Sequence, residues 1–170
     1  MRTLVLAVSA IPLLAQAPQQ VPHIRSAQLL FIEASKARHE NNMSVAVTSF
    51  RKAIQIEPTF LEAREGLIAA YGAVGESLQE ATAITEYLEI KPESDRYRLR
   101  LGQILFAQKQ SEKALAQFAL VLKRQPDCAE ALLGFASAAA SLGMHDRAAH
   151  ATAHGREKYP ADTRFRKQQP

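Results

Sequence analysis

Three histidines and an aspartate gather near the C-terminal end of the chain: His145, Asp146, His150 and His154. His150 and His154 stand four apart, so on a helix they share one face and bring two imidazoles within reach of one divalent cation. His145 lies more than a turn away, and no third ligand comes into register. The cluster therefore reads as the polar face of a helix, with no metal held. Cys128 is the only cysteine, which excludes an intrachain disulfide. It follows Asp127 at an expected helix start, where backbone amides favour a thiolate; the plainer reading is a small packing residue. Arg96 and Arg100, also four apart, put two guanidinium groups on one face, and Arg100 can grip a carboxylate through a bidentate fork. The sequence holds no G-x-S-x-G elbow, phosphate loop, glycine-rich dinucleotide fingerprint or C-x-x-C-H. No nucleophile and base converge, so neither an enzyme nor a cofactor is expected.

The elements that position these groups are set by proline. Pro58, Pro92, Pro126 and Pro160 recur at intervals of 34 residues. Proline removes a helical hydrogen bond and clashes with the preceding turn, so a constant proline interval marks a constant helix break. Other columns keep the register. Twelve residues before each proline stand Ala46, Glu80, Ala114 and Ala148, and eight before stand Phe50, Ile84, Phe118 and Thr152. Seventeen before stand Asn41, Gly75, Lys109 and Gly143, where a hairpin must turn and where Gly and Asn tolerate left-handed backbone. The breaks predict helices over residues 24–40, 44–57, 60–73, 77–90, 94–107, 111–124, 128–141 and 145–158. Thr59 with Glu62, and Asp127 with Glu130, have the spacing of a capping box or its aspartate equivalent. No alternating apolar and polar run competes as a strand.

A period of 34 residues with small and large positions alternating down two helices resembles the tetratricopeptide-repeat (TPR) family. Residues 99–126 carry the pattern best, with Leu101-Gly102, Ala114, Phe118 and Pro126 in place. The resemblance covers about residues 27–160 and implies an all-α right-handed solenoid of four repeats, near 27–60, 61–94, 95–128 and 129–162. Departures fall at Glu33 and Glu80, where the family prefers small or apolar residues, and at Thr152, Gly155 and Arg156, where it prefers bulk. They predict looser packing in the first hairpin and a polar outer face on the last.

The ends differ in character. Met1-Arg2 followed by the apolar run Leu4–Ala15 resembles a secretory signal peptide over residues 1–17, with Ala15 and Ala17 as alternative cleavage points. Residues 18–23 then form a linker, residues 24–160 the repeat domain and residues 163–170 a short basic, solvated tail. Export to a bacterial periplasm or exterior is expected, with no stable membrane insertion after cleavage. The net charge of +4 is modest. The Arg164-Phe165-Arg166-Lys167 cluster is too short to predict a nucleic-acid partner. A monomer or weak dimer is expected.

The family resemblance places partner binding on the first helix of each hairpin, in a concave groove. In the first hairpin this selects Phe31, Ser35 and Arg38; in the second, Glu65 and Ala69. In the third it selects Arg96, Leu99, Arg100, Gln103 and Phe106, and in the fourth Leu133 and Ser137. Chaperone-binding members hold a terminal carboxylate with a five-residue clamp. Here Phe31, Ser35 and Gly66 occupy clamp positions, and only Arg96 and Arg100 fit. The expected function is a protein–protein interaction module, adaptor or scaffold, that binds another protein or a peptide segment. The alternative is a structural subunit of an envelope, secretion or pilus assembly complex.

Overall fold

A computed structural model describes residues 20–167. Among them the chain is all helical: α1 (Gln20–His39), α2 (Met43–Ile56), α3 (Leu61–Val74), α4 (Ser77–Ile90), α5 (Asp95–Ala107), α6 (Ser111–Arg124), α7 (Ala129–Ser141), α8 (His145–Lys158) and a short α9 (Thr163–Lys167). From α2 to α8 every helix end lies within one residue of its sequence expectation. The exception is α1, which begins at Gln20, so residues 20–23 of the expected linker are helical. The expected leader, 1–17, and its cleavage points lie outside the described residues. Among the described residues no helix is long and apolar enough to cross a membrane.

Each helical hairpin ends the same way. Its second helix stops at Ile56, Ile90, Arg124 or Lys158, and the proline stands two residues later, in a turn. The next helix begins three residues after the proline, at Leu61, Asp95, Ala129 or Thr163. Within the hairpins the turn residues Asn41, Gly75, Lys109 and Gly143 all take left-handed backbone, with φ of 60°, 78°, 62° and 72°. Lys109 adopts this conformation despite its Cβ. The capping expectation is off by one residue. Cys128, not Asp127, is the N-cap of α7, and α3 starts at Leu61, too late for Thr59 to cap it. The proline turn is one residue longer than the box assumed.

The chain forms two compact units, one running to Ala63 and the other from Arg64 onward. In the first, α1 packs along α2, and the small residues Ala27, Ala34 and Ala37 of α1 and Ala46 and Ala53 of α2 are buried. Phe31 rests its ring 5.9 Å from Phe50 and 5.2 Å from Phe60. In the second, α5 pairs with α6 and α7 with α8, and α6 also packs on α7. The apolar residues of α6, Ala114, Leu115, Phe118 and Val121, recur at three- and four-residue spacing and are buried together. Phe118 lies against two glycines: a Cβ on Gly102 would stand 2.7 Å from its ring, and one on Gly134 2.5 Å.

The C-terminal end corrects the expected solvated tail. α9 begins in the register of a further hairpin and docks on α8. Phe165 is fully buried, with a Cβ on Gly155 reaching within 2.0 Å of its ring. Thr152 and Gly155 are buried, Gly155 against Phe165 of α9, and are not part of a polar outer face. The missing bulk in α8 is supplied by Phe165 from the next element. Asp162 caps α9 by accepting from the Arg164 amide at 2.9 Å, and Arg166 Nη2 donates to the Pro160 carbonyl at 2.7 Å.

Candidate functional site

The first helices α3, α5 and α7 of the second unit frame two neighbouring recesses. The first, about 480 Å³, is walled by Ile68, Ala69 and Gly72 of α3 and by Arg96, Leu99, Arg100 and Gln103 of α5. The second, about 260 Å³, lies between Gln103 and Phe106 of α5 and Leu133, Gly134 and Ser137 of α7. Gln103 lines both, so the two recesses lie side by side on this face. The structure thus brings together nine residues expected from the sequence: Glu65, Ala69, Arg96, Leu99, Arg100, Gln103, Phe106, Leu133 and Ser137. Phe31, Ser35 and Arg38 lie half-buried on α1 in the first unit, where Phe31 is engaged by its aromatic neighbours.

Small residues shape this face. Ala69, Gly72 and Gly134 keep the helix surfaces low, while Leu99, Phe106 and Leu133 stand half-buried and offer apolar contact. These same side chains are packed from beneath: Leu99 and Phe106 rest on the cluster of Ala114, Leu115, Phe118 and Ala138. The walls are therefore supported and do not have to order on binding, which reduces the entropic cost of association.

The polar groups of the face are largely paired with one another. Arg100 forms the bidentate fork its side chain favours, but with Glu80 of α4: Nε donates to Oε1 at 2.6 Å and Nη2 to Oε2 at 2.8 Å. That hydrogen bond holds the Arg100 guanidinium's pKa above its ordinary value. Glu80 is 4 % exposed and sits where a Cβ on Gly72 would come within 3.2 Å of its carboxylate. Its burial is thus that of a built ion pair. Tyr87 of α4 donates to Glu65 at 2.7 Å; burial, and then the Glu65 carboxylate, push the phenol's pKa well up. Arg96 holds its guanidinium over Tyr97, 5.4 Å from the ring centre, and has no carboxylate partner among the described residues. Arg164 of α9 reaches the second recess, held by Asp162 at 2.6 Å and lying 3.8 Å from Glu130.

Sequence reasoning missed Glu80, Tyr87 and Arg164 as parts of this face. Glu80 carried a signal, a carboxylate in a small-residue column opposite a helix bearing two arginines. Tyr87 and Arg164 carried none, because their places depend on which helix packs beside them.

The other candidate chemistry disperses. Among the described residues no group of three or more His, Cys, Asp or Glu is placed to hold a metal. His154 Nε2 lies 2.9 Å from Asp127 Oδ1, and Tyr159 donates its hydroxyl to the Asp127 carbonyl, so His154 and Asp127 tie α8 to the preceding turn. Cys128 is half-buried, its Sγ 4.0 Å from Glu130.

Comparison with known proteins agrees with this geometry. Residues 95–128 match the family described as tetratricopeptide repeat. Among solved structures, MamA (residues 41 to the end) from Desulfovibrio magneticus RS-1 is similar at 17 % identity, covering 82 % of this chain and 79 % of that one with a TM-score of 0.71. YrrB, described as a TPR protein with an unusual peptide-binding site, is 20 % identical, with 87 % and 74 % covered and a TM-score of 0.68. The first TPR of Spaghetti (RPAP3), bound to an HSP90 peptide, is 17 % identical, with 70 % and 94 % covered and a TM-score of 0.58. No curated protein matches in sequence. The described chain has the helical-hairpin fold of TPR proteins, and its third hairpin carries the repeat itself.

Proposed function

We propose that this chain, folded as a tetratricopeptide-repeat solenoid, is a protein–protein interaction module that seats a segment of a partner protein along α3, α5 and α7. One observation carries the reading: two supported recesses meet at Gln103 and together expose Leu99, Phe106 and Leu133 between small residues. Such a face suits an extended or helical segment with apolar anchors. The peptide bound by the RPAP3 domain and the peptide site of YrrB support peptide-directed binding here by likeness of fold.

The pairing of the polar groups narrows the partner. A ligand carboxylate that took Arg100 would strip the buried Glu80 of its counter-ion, and breaking a buried pair is costly. The segment is therefore read through apolar side chains, with Arg96 supplying one exposed positive charge, and not through a terminal-carboxylate clamp. The leader-like residues 1–17 support an exported scaffold or adaptor acting outside the cytoplasm.

The test is obstruction. Gln103→Trp places a large ring at the junction of both recesses on an exposed position and is expected to abolish capture of partners from an extract of the native cell. Gln79→Trp, exposed on α4 and outside both recesses, is the control that should capture normally. Equal capture by the two variants, both folded, counts against the site.

A further inference from the structure

A third recess, also about 480 Å³, shares no residue with the two on α3, α5 and α7. It is built by α6, the Pro126 turn, α7 and α8. Leu122, Leu132, Phe135 and Ala151 give it an apolar floor, and Ala119 of α6 leaves the entrance open. Leu132 and Ala151 are buried in the cluster that also holds Phe165, so the floor is a fixed surface and not a gap between mobile side chains. Its volume falls in the range of sites that enclose small organic molecules.

The rim carries charge in a definite arrangement. Asp146, Arg147, His150 and His154 all project from α8 onto the recess. His154 is held by Asp127. Arg147 lies over the Phe135 ring at 5.1 Å, and its Nη1 contacts Met144 Sδ at 3.6 Å. Among the described residues it has no carboxylate partner. A guanidinium stacked on an aromatic face keeps its edge N–H groups for an oxygen acceptor in the same plane. His150 stands one turn further along the same helix. Asp146, on the other side of Arg147, places a negative charge on the rim.

We propose that this recess binds a small amphipathic monocarboxylate, with an apolar or aromatic body on the Leu122–Leu132–Ala151 floor and one carboxylate forked by Arg147. The Asp146 charge sets the limit on ligand class. It adds to the cost of each further negative charge on the ligand, and a small dianion without an apolar body gains nothing from the floor. The apolar floor supplies the affinity and Arg147 the preference for the acid over a neutral analogue. The site is separate from the partner face, so it is available whether or not a protein partner is seated there.

Octanoate is the probe, with octanol as its uncharged analogue and succinate as the dianion without an apolar body. Titration of the ¹⁵N-labelled protein is followed by amide shifts and by thermal unfolding. Octanoate is expected to give saturable shifts at Leu122, Phe135 and Ala151, with none at Leu99 or Gln103, and succinate to give none. Arg147→Gln should weaken octanoate by about tenfold and leave octanol unchanged, and Arg147→Lys, which keeps the charge but loses the fork, should fall between parent and Arg147→Gln. Arg147 is exposed, so both variants should unfold like the parent. The proposal is overturned if octanoate gives no saturable shift, if the shifts fall on α3 and α5, or if Arg147→Gln binds acid and alcohol as the parent does.

Discussion

Arg100 clasps Glu80 through two parallel hydrogen bonds, with the carboxylate buried and the guanidinium about half exposed (46 %). The pair joins α4 to α5, and so one hairpin to the next. It also occupies the bidentate anion-binding group of the proposed face. Arg100→Ala leaves a buried carboxylate unpaired and is expected to destabilise the protein by about 1–3 kcal/mol, below the usual cost for a fully buried pair because Arg100 is solvent-screened. Glu80→Leu with Arg100→Met should recover most of that loss. Chemical denaturation of the single and double variants measures both, and an additive double variant would refute the coupling.

Phe118 and its two glycines give a test in which the sign is opposite to helix propensity. Gly→Ala inside a helix normally stabilises by up to about 1 kcal/mol. Here the new methyl would press into the Phe118 ring from either side, so Gly102→Ala and Gly134→Ala are expected to destabilise by about 1–3 kcal/mol. Gly102→Ala combined with Phe118→Leu should be less damaged than the two single effects added. A stabilised Gly102→Ala variant in thermal unfolding would show that the ring moves aside.

Asp95, the first residue of α5, accepts from Arg124 Nε at 2.9 Å and from Gln125 Nε2 at 2.8 Å. The Arg124 hydrogen bond, outweighing the opposing effect of burial, holds its carboxyl below the ordinary carboxylate range. A carboxyl with a depressed folded pKa contributes stability that is present above its unfolded pKa and lost as pH falls through the folded one. Acid titration of stability should therefore show a loss in that acidic window that Asp95→Asn reduces. A parent and variant with the same acid profile would remove Asp95 from the account.

Most of the architecture was legible because one physical cause repeats. Pro58, Pro92, Pro126 and Pro160 each forbid helix at the same register position, and Asn41, Gly75, Lys109 and Gly143 sit at the matching turns. Local rules of that kind act on residues adjacent in sequence. For the proposed face, helical spacing was enough to group Ala69, Leu99, Phe106, Leu133 and Ser137, which α3, α5 and α7 place along two recesses. What stayed hidden was pairing between elements. Arg100 announced a bidentate fork but not that Glu80, twenty residues earlier, fills it. Gly155 read as lost bulk because Phe165, which fills the space, belongs to a segment whose charges suggested a solvated tail.

The docking of α9 makes a prediction of its own. Phe165→Ala should cost about 1–3 kcal/mol, less than a Phe truncation in a helix locked on all sides, because a five-residue terminal helix can detach without unfolding its neighbours. Hydrogen exchange should then rise in α8 around Thr152 and Gly155 while α6 stays protected. Unchanged protection in α8 would mean that α9 does not cover it.

Site-specific photo-crosslinking tests the central claim most directly, with a photoreactive phenylalanine analogue placed one position at a time in the protein within its native cell. Probes at Leu99, Gln103 and Leu133 should each trap the same partner polypeptide, while probes at the exposed Gln79 and Leu120 should trap none of it. Adducts confined to Gln79 or Leu120, or different proteins trapped from each of the three recess positions, would contradict a partner seated on α3, α5 and α7.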